Sequence, residues 1–143
     1  MEMIDERAEM FAGLEASLCR DPDIEFVVAF GSQVTGDARS SSDLDLAVKF
    51  ADDLSSRERF RKRCFLSGDV QRADAPFVDL ADIEDLPLDV AHDAVTGEFL
   101  CGDNQAFHRF KTDIEASFEE RRDRIRRRQR DVIDRIAESG LHD

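Results

Sequence analysis

The sequence predicts an α/β protein, and two features support that prediction. Apolar segments at about residues 24–30, 43–50 and 76–81 have the length and composition of short strands. Charged segments lie between and around them, with apolar residues recurring every three or four positions, as in amphipathic helices. Because these segments alternate along the chain, we expect a small mixed, twisted sheet with helices packed on one face and a long C-terminal helix.

The helices follow from periodicity and from residues that stop them. The first covers about residues 3–19 and ends before Pro22. A charged helix is expected at about 53–66, and another from Pro87, which suits a first helical turn, to Val95. Residues 98–102 fit either a short strand or a turn, and a long helix covers about 103–138. No repeat or linker divides the chain, so residues 1–143 are expected to form one domain.

One segment combines a glycine-serine pair with two aspartates, in the spacing G-S-x10-D-x-D. Gly31 follows the first strand, and a residue without Cβ lets the backbone approach a phosphate closely. Ser32 supplies a hydroxyl at the turn and suits the cap of a following helix, whose free N–H groups attract anions. We therefore expect Gly31 and Ser32 to bind the phosphates of a nucleotide.

Three aspartates are candidate ligands of a metal. Asp43 and Asp45 lie two residues apart on the second strand, so their side chains point to one face. Their repulsion is relieved by a cation, and Mg²⁺ prefers carboxylates together with substrate phosphates. Asp79 is the candidate third ligand, because an Asp in an apolar strand is costly to bury without a partner or metal. Two Mg²⁺ ions are therefore the expected cofactors. The alternative is that this segment is an ordinary turn whose aspartates are simply solvated.

These motifs together resemble the nucleotidyltransferase superfamily, and within it the minimal nucleotidyltransferase (MNT) group, small proteins often encoded beside a HEPN-domain toxin. The resemblance covers about residues 20–110 and implies a polymerase-β-like nucleotidyltransferase fold. It also implies magnesium-dependent transfer of AMP from ATP to a protein hydroxyl, which in the described antitoxins is a tyrosine of the HEPN RNase. The motifs that carry it are Phe30-Gly31-Ser32, Gly36-Asp37-Ala38, Ser42-Asp43-Leu44-Asp45-Leu46 and Val78-Asp79-Leu80.

Roles follow from the resemblance position by position. Gly31 and Ser32 would bind the triphosphate, Asp43 and Asp45 would hold magnesium, and Asp79 would complete the metal site and help to activate the incoming hydroxyl. A departure from the family pattern is Gln33, where members often carry a basic residue. The chain contains no tyrosine. A tyrosine acceptor would therefore belong to the HEPN partner, with which a hetero-oligomer is expected.

Two other functions remain open at this point. The protein could neutralise the HEPN toxin by occlusion through its C-terminal helix, without catalysis. It could also transfer nucleotides to a small molecule or to RNA, although 143 residues leave little room for an added substrate domain.

The C-terminal helix has the pattern of a partner-binding surface. Its apolar residues repeat every seven positions, which gives a narrow seam for another helix. Seven arginines lie within residues 121–130. The alternative is a solvated face whose arginines pair with acidic residues one turn away. The candidate contact residues are Phe118, Arg121, Arg122, Ile125, Arg128 and Val132.

The amino-acid composition predicts the kind of source organism, the binding partners and the location of the protein. The net charge is −13, with 21 Asp against 12 Glu and 17 Arg against 3 Lys. This bias predicts a halophilic source and poor folding at low salt, with an acidic mesophilic protein as the alternative. The charge disfavours direct binding of nucleic acid. Three scattered cysteines indicate neither a disulfide framework nor a zinc site. With no signal peptide in Met1–Arg20 and no apolar run of membrane length, a cytoplasmic protein without membrane contact is expected.

Overall fold

The computed structural model describes residues 2–31, 43–72 and 77–140, and their side chains except those of residues 2–8, 10 and 140. These ranges contain four α-helices and four strands, which confirms the α/β class. A short 3-10 turn, Ile83–Asp85, follows the third strand. The elements are α1 Glu2–Leu18, β1 Ile24–Phe30, β2 Leu44–Phe50, α2 Ser56–Asp69, β3 Val78–Asp82, α3 Leu88–Val95, β4 Glu98–Gly102 and α4 Asn104–Gly140.

The four strands form one mixed sheet in the order β3-β2-β1-β4. β1 is antiparallel to both β2 and β4, and β2 is parallel to β3. Residues 98–102, which fitted a strand or a turn, pair as a strand with β1. The mixed sheet is therefore as expected, with β3 and β4 at its two edges.

Helices cover both faces of the sheet, which differs from the expectation of helices on one face. Val27 and Ala29 of β1 pack with α1 and α2, whereas Phe26 and Val28 pack with α3 and α4. The sequence of β1 explains why both faces are covered, because all four side chains from Phe26 to Ala29 are apolar and fully buried. Alternate residues point to opposite faces, so such a run requires a core on each side.

Helix α2 begins and ends later than predicted, and its start is set by an N-terminal cap. The Ser55 hydroxyl accepts a hydrogen bond from the Glu58 N–H at 3.1 Å, and the Glu58 carboxylate accepts one from the Ser55 N–H at 3.3 Å. This reciprocal capping box fixes the start at Ser56. The helix then continues through Gly68, beyond the expected end near residue 66, because Leu66 and Val70 pack into the first core.

A disulfide joins Cys19, just after α1, to Cys101 of edge strand β4, with the Cα atoms 6.0 Å apart. The sequence-based expectation of no disulfide was wrong, because wide separation along the chain says nothing about distance in the fold. Cys64 is free and exposed. The bond ties α1 to the edge strand that lies farthest from β3.

Helix α4 has a packed part and a projecting part. Ala106 and Phe107 are buried in the second core. From residue 119 to residue 139 every side chain is exposed, so this part extends for about 30 Å without a described contact to the sheet. No helix in the described ranges is both long enough and apolar enough to cross a membrane.

Candidate active site

The register of the sheet brings Asp45 and Asp79 together. In the parallel pairing of β2 with β3, Asp45 lies directly opposite Asp79. On its other side Asp45 lies opposite Phe30, the last residue of β1. Adjacent strands are about 4.8 Å apart, so the two carboxylates occupy neighbouring positions on one face. Asp43 stands just before β2 and is exposed, as is Asp79.

The carboxylate of Asp45 is affected by burial and by its two acidic neighbours. Burial raises the pKa of Asp45 above its ordinary value, and the negative charges of Asp79 and Asp43 raise that pKa further. Each effect disfavours the ionised form of Asp45. A bound cation would reverse both charge effects, so this arrangement is suited to holding one.

Gly31 lies directly against Asp45. Its φ is +86°, in the left-handed region that favours glycine. A Cβ at this position would overlap Asp45 Oδ2 and lie 3.4 Å from its Cγ. The end of β1 is therefore in contact with Asp45 of β2, which places Gly31, the described residue of the candidate phosphate-binding pair, beside a candidate metal ligand. Ser32 and the rest of the segment 32–42 lie outside the described residues.

The donors of this site fit magnesium. All three are hard carboxylate oxygens, and Mg²⁺ commonly uses one or two carboxylates together with waters and substrate phosphates. Among the described residues, no group of three or more Asp, Glu, His or Cys side chains is arranged so that it could hold a metal ion by itself. The facing pair Asp45 and Asp79 could thus supply two ligands of an open site that substrate oxygens would complete.

Asp82 is a buried acid that the sequence did not single out. It ends β3 and is only 3% exposed. Its carboxylate accepts a hydrogen bond from the Glu84 N–H at 3.0 Å and lies 3.3 Å from Arg59 of α2. Because Asp79 and Asp82 have opposite parity on the strand, Asp82 points to the α2 side of the sheet. It therefore anchors β3 to α2 and is not part of the aspartate site.

The candidate partner residues differ in their surroundings. Phe118 is half-buried and stacks on His92 of α3, with the ring centroids 3.9 Å apart. Ile125 and Val132 are 45% and 51% exposed, and the three arginines are also exposed. Phe118 thus belongs partly to the fold, whereas an apolar, arginine-rich surface lies beyond it.

A shallow depression of 340 Å³ lies beside α2, with Asp23, Leu54 and Phe65 among its lining residues. It is on the face of the sheet opposite the aspartates. Its lysine, Lys62, already pairs with Asp21 at 2.6 Å and Asp23 at 3.1 Å. The candidate site is therefore identified from the pairing of Asp45 with Asp79 in the sheet, and not from this depression.

Comparisons with known proteins agree with this fold. The family described as "Polymerase beta, Nucleotidyltransferase" matches residues 14–106, which include Gly31, Asp43, Asp45 and Asp79. No match was found among curated proteins.

Solved structures of toxin–antitoxin complexes contain chains with the same fold. One, determined with AMP-PNP, is 23% identical with a TM-score of 0.62, over 87% of this chain and 97% of the other. A chain of the MntA-HepT complex is 22% identical with a TM-score of 0.61, over 88% and 98%.

A third similar structure is that of a tri-AMPylated Shewanella oneidensis HEPN toxin in complex with MNT antitoxin. It is 22% identical with a TM-score of 0.57, over 93% of this chain and 99% of the other. At such identities the structures show a shared fold, and the family match covers well over half of the chain. The protein thus belongs to the polymerase beta nucleotidyltransferase family.

Proposed function

We propose that this protein is an MNT antitoxin that transfers AMP from ATP to a hydroxyl group, a tyrosine by resemblance, of a HEPN toxin. The observation that carries the proposal is the direct opposition of Asp45 and Asp79, with Gly31 against Asp45. Carboxylates beside a glycine turn are what nucleotide transfer requires, because its catalysis is mostly positioning and charge neutralisation.

Each residue has a role in the proposed reaction. Asp43, Asp45 and Asp79 would hold Mg²⁺, which when bound supplies charge neutralisation for the triphosphate. Gly31, and Ser32 by resemblance, would bind the phosphates. The acceptor oxygen attacks the α-phosphorus, the bond to the β-phosphate oxygen breaks, and pyrophosphate leaves. Asp79 would help to take the hydroxyl proton, since it is the exposed member of the facing pair.

Two observations support a HEPN protein as the acceptor. The chain shares its fold with chains from complexes that contain HEPN toxins, one of them tri-AMPylated. The chain also lacks tyrosine, so a tyrosine acceptor lies on another protein.

The exposed part of α4 favours occlusion as a second candidate function. Its apolar residues are exposed beside seven arginines in one block. Neutralisation could then result from binding alone, with α4 covering the toxin. Both candidates need the complex, and only the first needs Asp43 and Asp45.

Intact-mass spectrometry of a HEPN partner separates the two. The partner is incubated with ATP, Mg²⁺ and either wild type, Asp43→Asn/Asp45→Asn, or the control Asp69→Asn/Asp113→Asn, which removes two exposed acids elsewhere. Transfer predicts a mass gain of whole AMP units with wild type and control, and none with the site variant. An unmodified partner that still loses its RNase activity would reject catalysis as the means of neutralisation.

The role of α4 has its own matched pair of variants. Ile125→Ser/Val132→Ser removes the seam, whereas Ile133→Ser removes an apolar residue that is 64% exposed and lies about 80° around the helix from Ile125. We expect only the seam variant to weaken the complex in a pull-down or calorimetric titration. Equal affinity of all three proteins would place the partner surface elsewhere.

A further inference from the structure

The free edge of β3 is closed at Val78 by one side chain, that of Gln71. The Gln71 Oε1 accepts a hydrogen bond from the Val78 N–H at 3.0 Å, and its Nε2 donates to the Val78 carbonyl at 2.7 Å. The same Nε2 donates to the Ser67 carbonyl at 2.8 Å. The carboxamide thus uses both of its donor hydrogens and one acceptor position.

Those two Val78 groups point away from the sheet. Leu44 lies opposite Val78 and donates its N–H to the Phe77 carbonyl at 2.8 Å. In a parallel ladder the residues that flank the paired position make the bonds to the neighbouring strand. The N–H and C=O of Val78 therefore face the outer edge of β3, where no strand lies beyond it in the described sheet. Gln71 fills the place that a further strand would take.

The position matters because Asp79 is the next residue. Asp79 faces Asp45 across the ladder, and like charges directly opposite one another on a sheet are destabilising. β3 is held by hydrogen bonds to β2 on one side only, so this repulsion acts on a strand that can move outward. The bonds from Gln71 secure the edge immediately before the point of repulsion.

Gln71 also connects this edge to a rigid element. The Ser67 carbonyl lies in the last turn of α2, where carbonyls have no partner within the helix. α2 is packed through Leu66 and Val70 on the first core. The carboxamide therefore fixes Val78 relative to a helix that is itself fixed to the sheet.

We propose that Gln71 is a positioning residue, whose carboxamide acts as a substitute strand at Val78 and holds Asp79 in register with Asp45. This inference rests on the proposed function, because it assigns to Gln71 the geometry of the metal-binding pair. Supporting residues behind metal ligands typically change metal affinity by 10- to 100-fold when mutated.

The test uses Gln71→Met, which keeps the length of the side chain and removes its hydrogen bonds. Gln71→Glu keeps an acceptor for the Val78 N–H and replaces the donor, and it is the second variant if the first is too unstable to study. The control is Gln105→Met, at an exposed position in the first turn of α4. Mg²⁺ affinity is measured by calorimetry on folded protein, and Val78 amide exchange by NMR.

We expect Gln71→Met to weaken Mg²⁺ binding about tenfold and to speed Val78 amide exchange by about tenfold or more, since that N–H loses its partner. The control should match wild type in both. Faster exchange or a lower melting temperature with unchanged Mg²⁺ affinity would overturn the positioning role and leave the proposed function standing. A wild-type protein that binds no Mg²⁺ with ATP present would overturn both.

Discussion

Gly31→Ala tests the contact between the glycine turn and the aspartates. The φ of +86° is unfavourable for any residue with a Cβ, and the left-handed conformation costs roughly 1–2 kcal/mol. The added methyl would also overlap Asp45 Oδ2. Either the backbone of residue 31 or the Asp45 carboxylate must move, and both belong to the proposed site.

The two effects have different magnitudes and different readouts. We expect the free energy of unfolding to fall by about 1–2 kcal/mol from the backbone conformation. A displacement of about 1 Å at a reacting centre costs about 100-fold in rate, so AMP transfer should fall by about that factor. Urea unfolding measures the first quantity, and AMP transfer to the partner by the folded variant measures the second.

Gly68→Ala is the matched control. Gly68 lies inside α2 with no atom within 4 Å of an added Cβ, so alanine should stabilise the protein by about 0.5–1 kcal/mol without affecting transfer. If Gly31→Ala stayed within threefold of the wild-type rate, the account of the site as a rigid contact between Gly31 and Asp45 would be refuted.

Three further changes test the rest of the fold. Burial raises the pKa of Asp82 above 3.8 by more than Arg59 and the Glu84 N–H lower it, so deprotonation of Asp82 lowers the stability of the folded protein. The stability of Asp82→Asn relative to wild type should therefore rise with pH from about 3.8 to the raised native pKa. Urea unfolding between about pH 4 and pH 7 checks the sign, and a decrease would contradict it. Lys49→Met leaves three surrounding carboxylates without their cation; we expect a loss of about 1–3 kcal/mol, less than for a fully buried pair, that shrinks as NaCl is added. Cys19→Ser opens the loop closed by Cys101 and should lower stability by about 2–4 kcal/mol under non-reducing conditions. Cys64→Ser is its control, and equal melting temperatures would show that the disulfide adds nothing.

The strands that carry the aspartates could be predicted because their signal is local. β1 was expected at 24–30 and is Ile24–Phe30, and β2 was expected at 43–50 and is Leu44–Phe50. Runs of apolar residues and alternation in steps of two are properties of neighbouring positions. The prediction that Asp43 and Asp45 share a face came from that alternation alone, and the observed strand begins one residue after Asp43.

Features that depend on distant parts of the chain could not be read in the same way. The register that sets Asp45 opposite Asp79 joins segments more than thirty positions apart, and no local pattern specifies it. The same is true of the Cys19–Cys101 bond and of the Gln71 contact with Val78. The burial of Asp82 depends on α2 packing over the end of β3, so a strand-end acid looked ordinary in so acidic a sequence.

The charges of the described residues favour a role for a bound cation in the proposed reaction. The chain carries a net charge of −13, and ATP bound at the proposed site would add further negative charge beside three carboxylates. Three described cations, Lys49, Arg59 and Lys62, each pair with at least two acidic side chains. None of these partners is Asp43, Asp45 or Asp79. These cations are committed to the fold, so they cannot neutralise a triphosphate at Asp45. Metal binding and ATP binding should therefore depend strongly on each other, because each relieves repulsion that opposes the other.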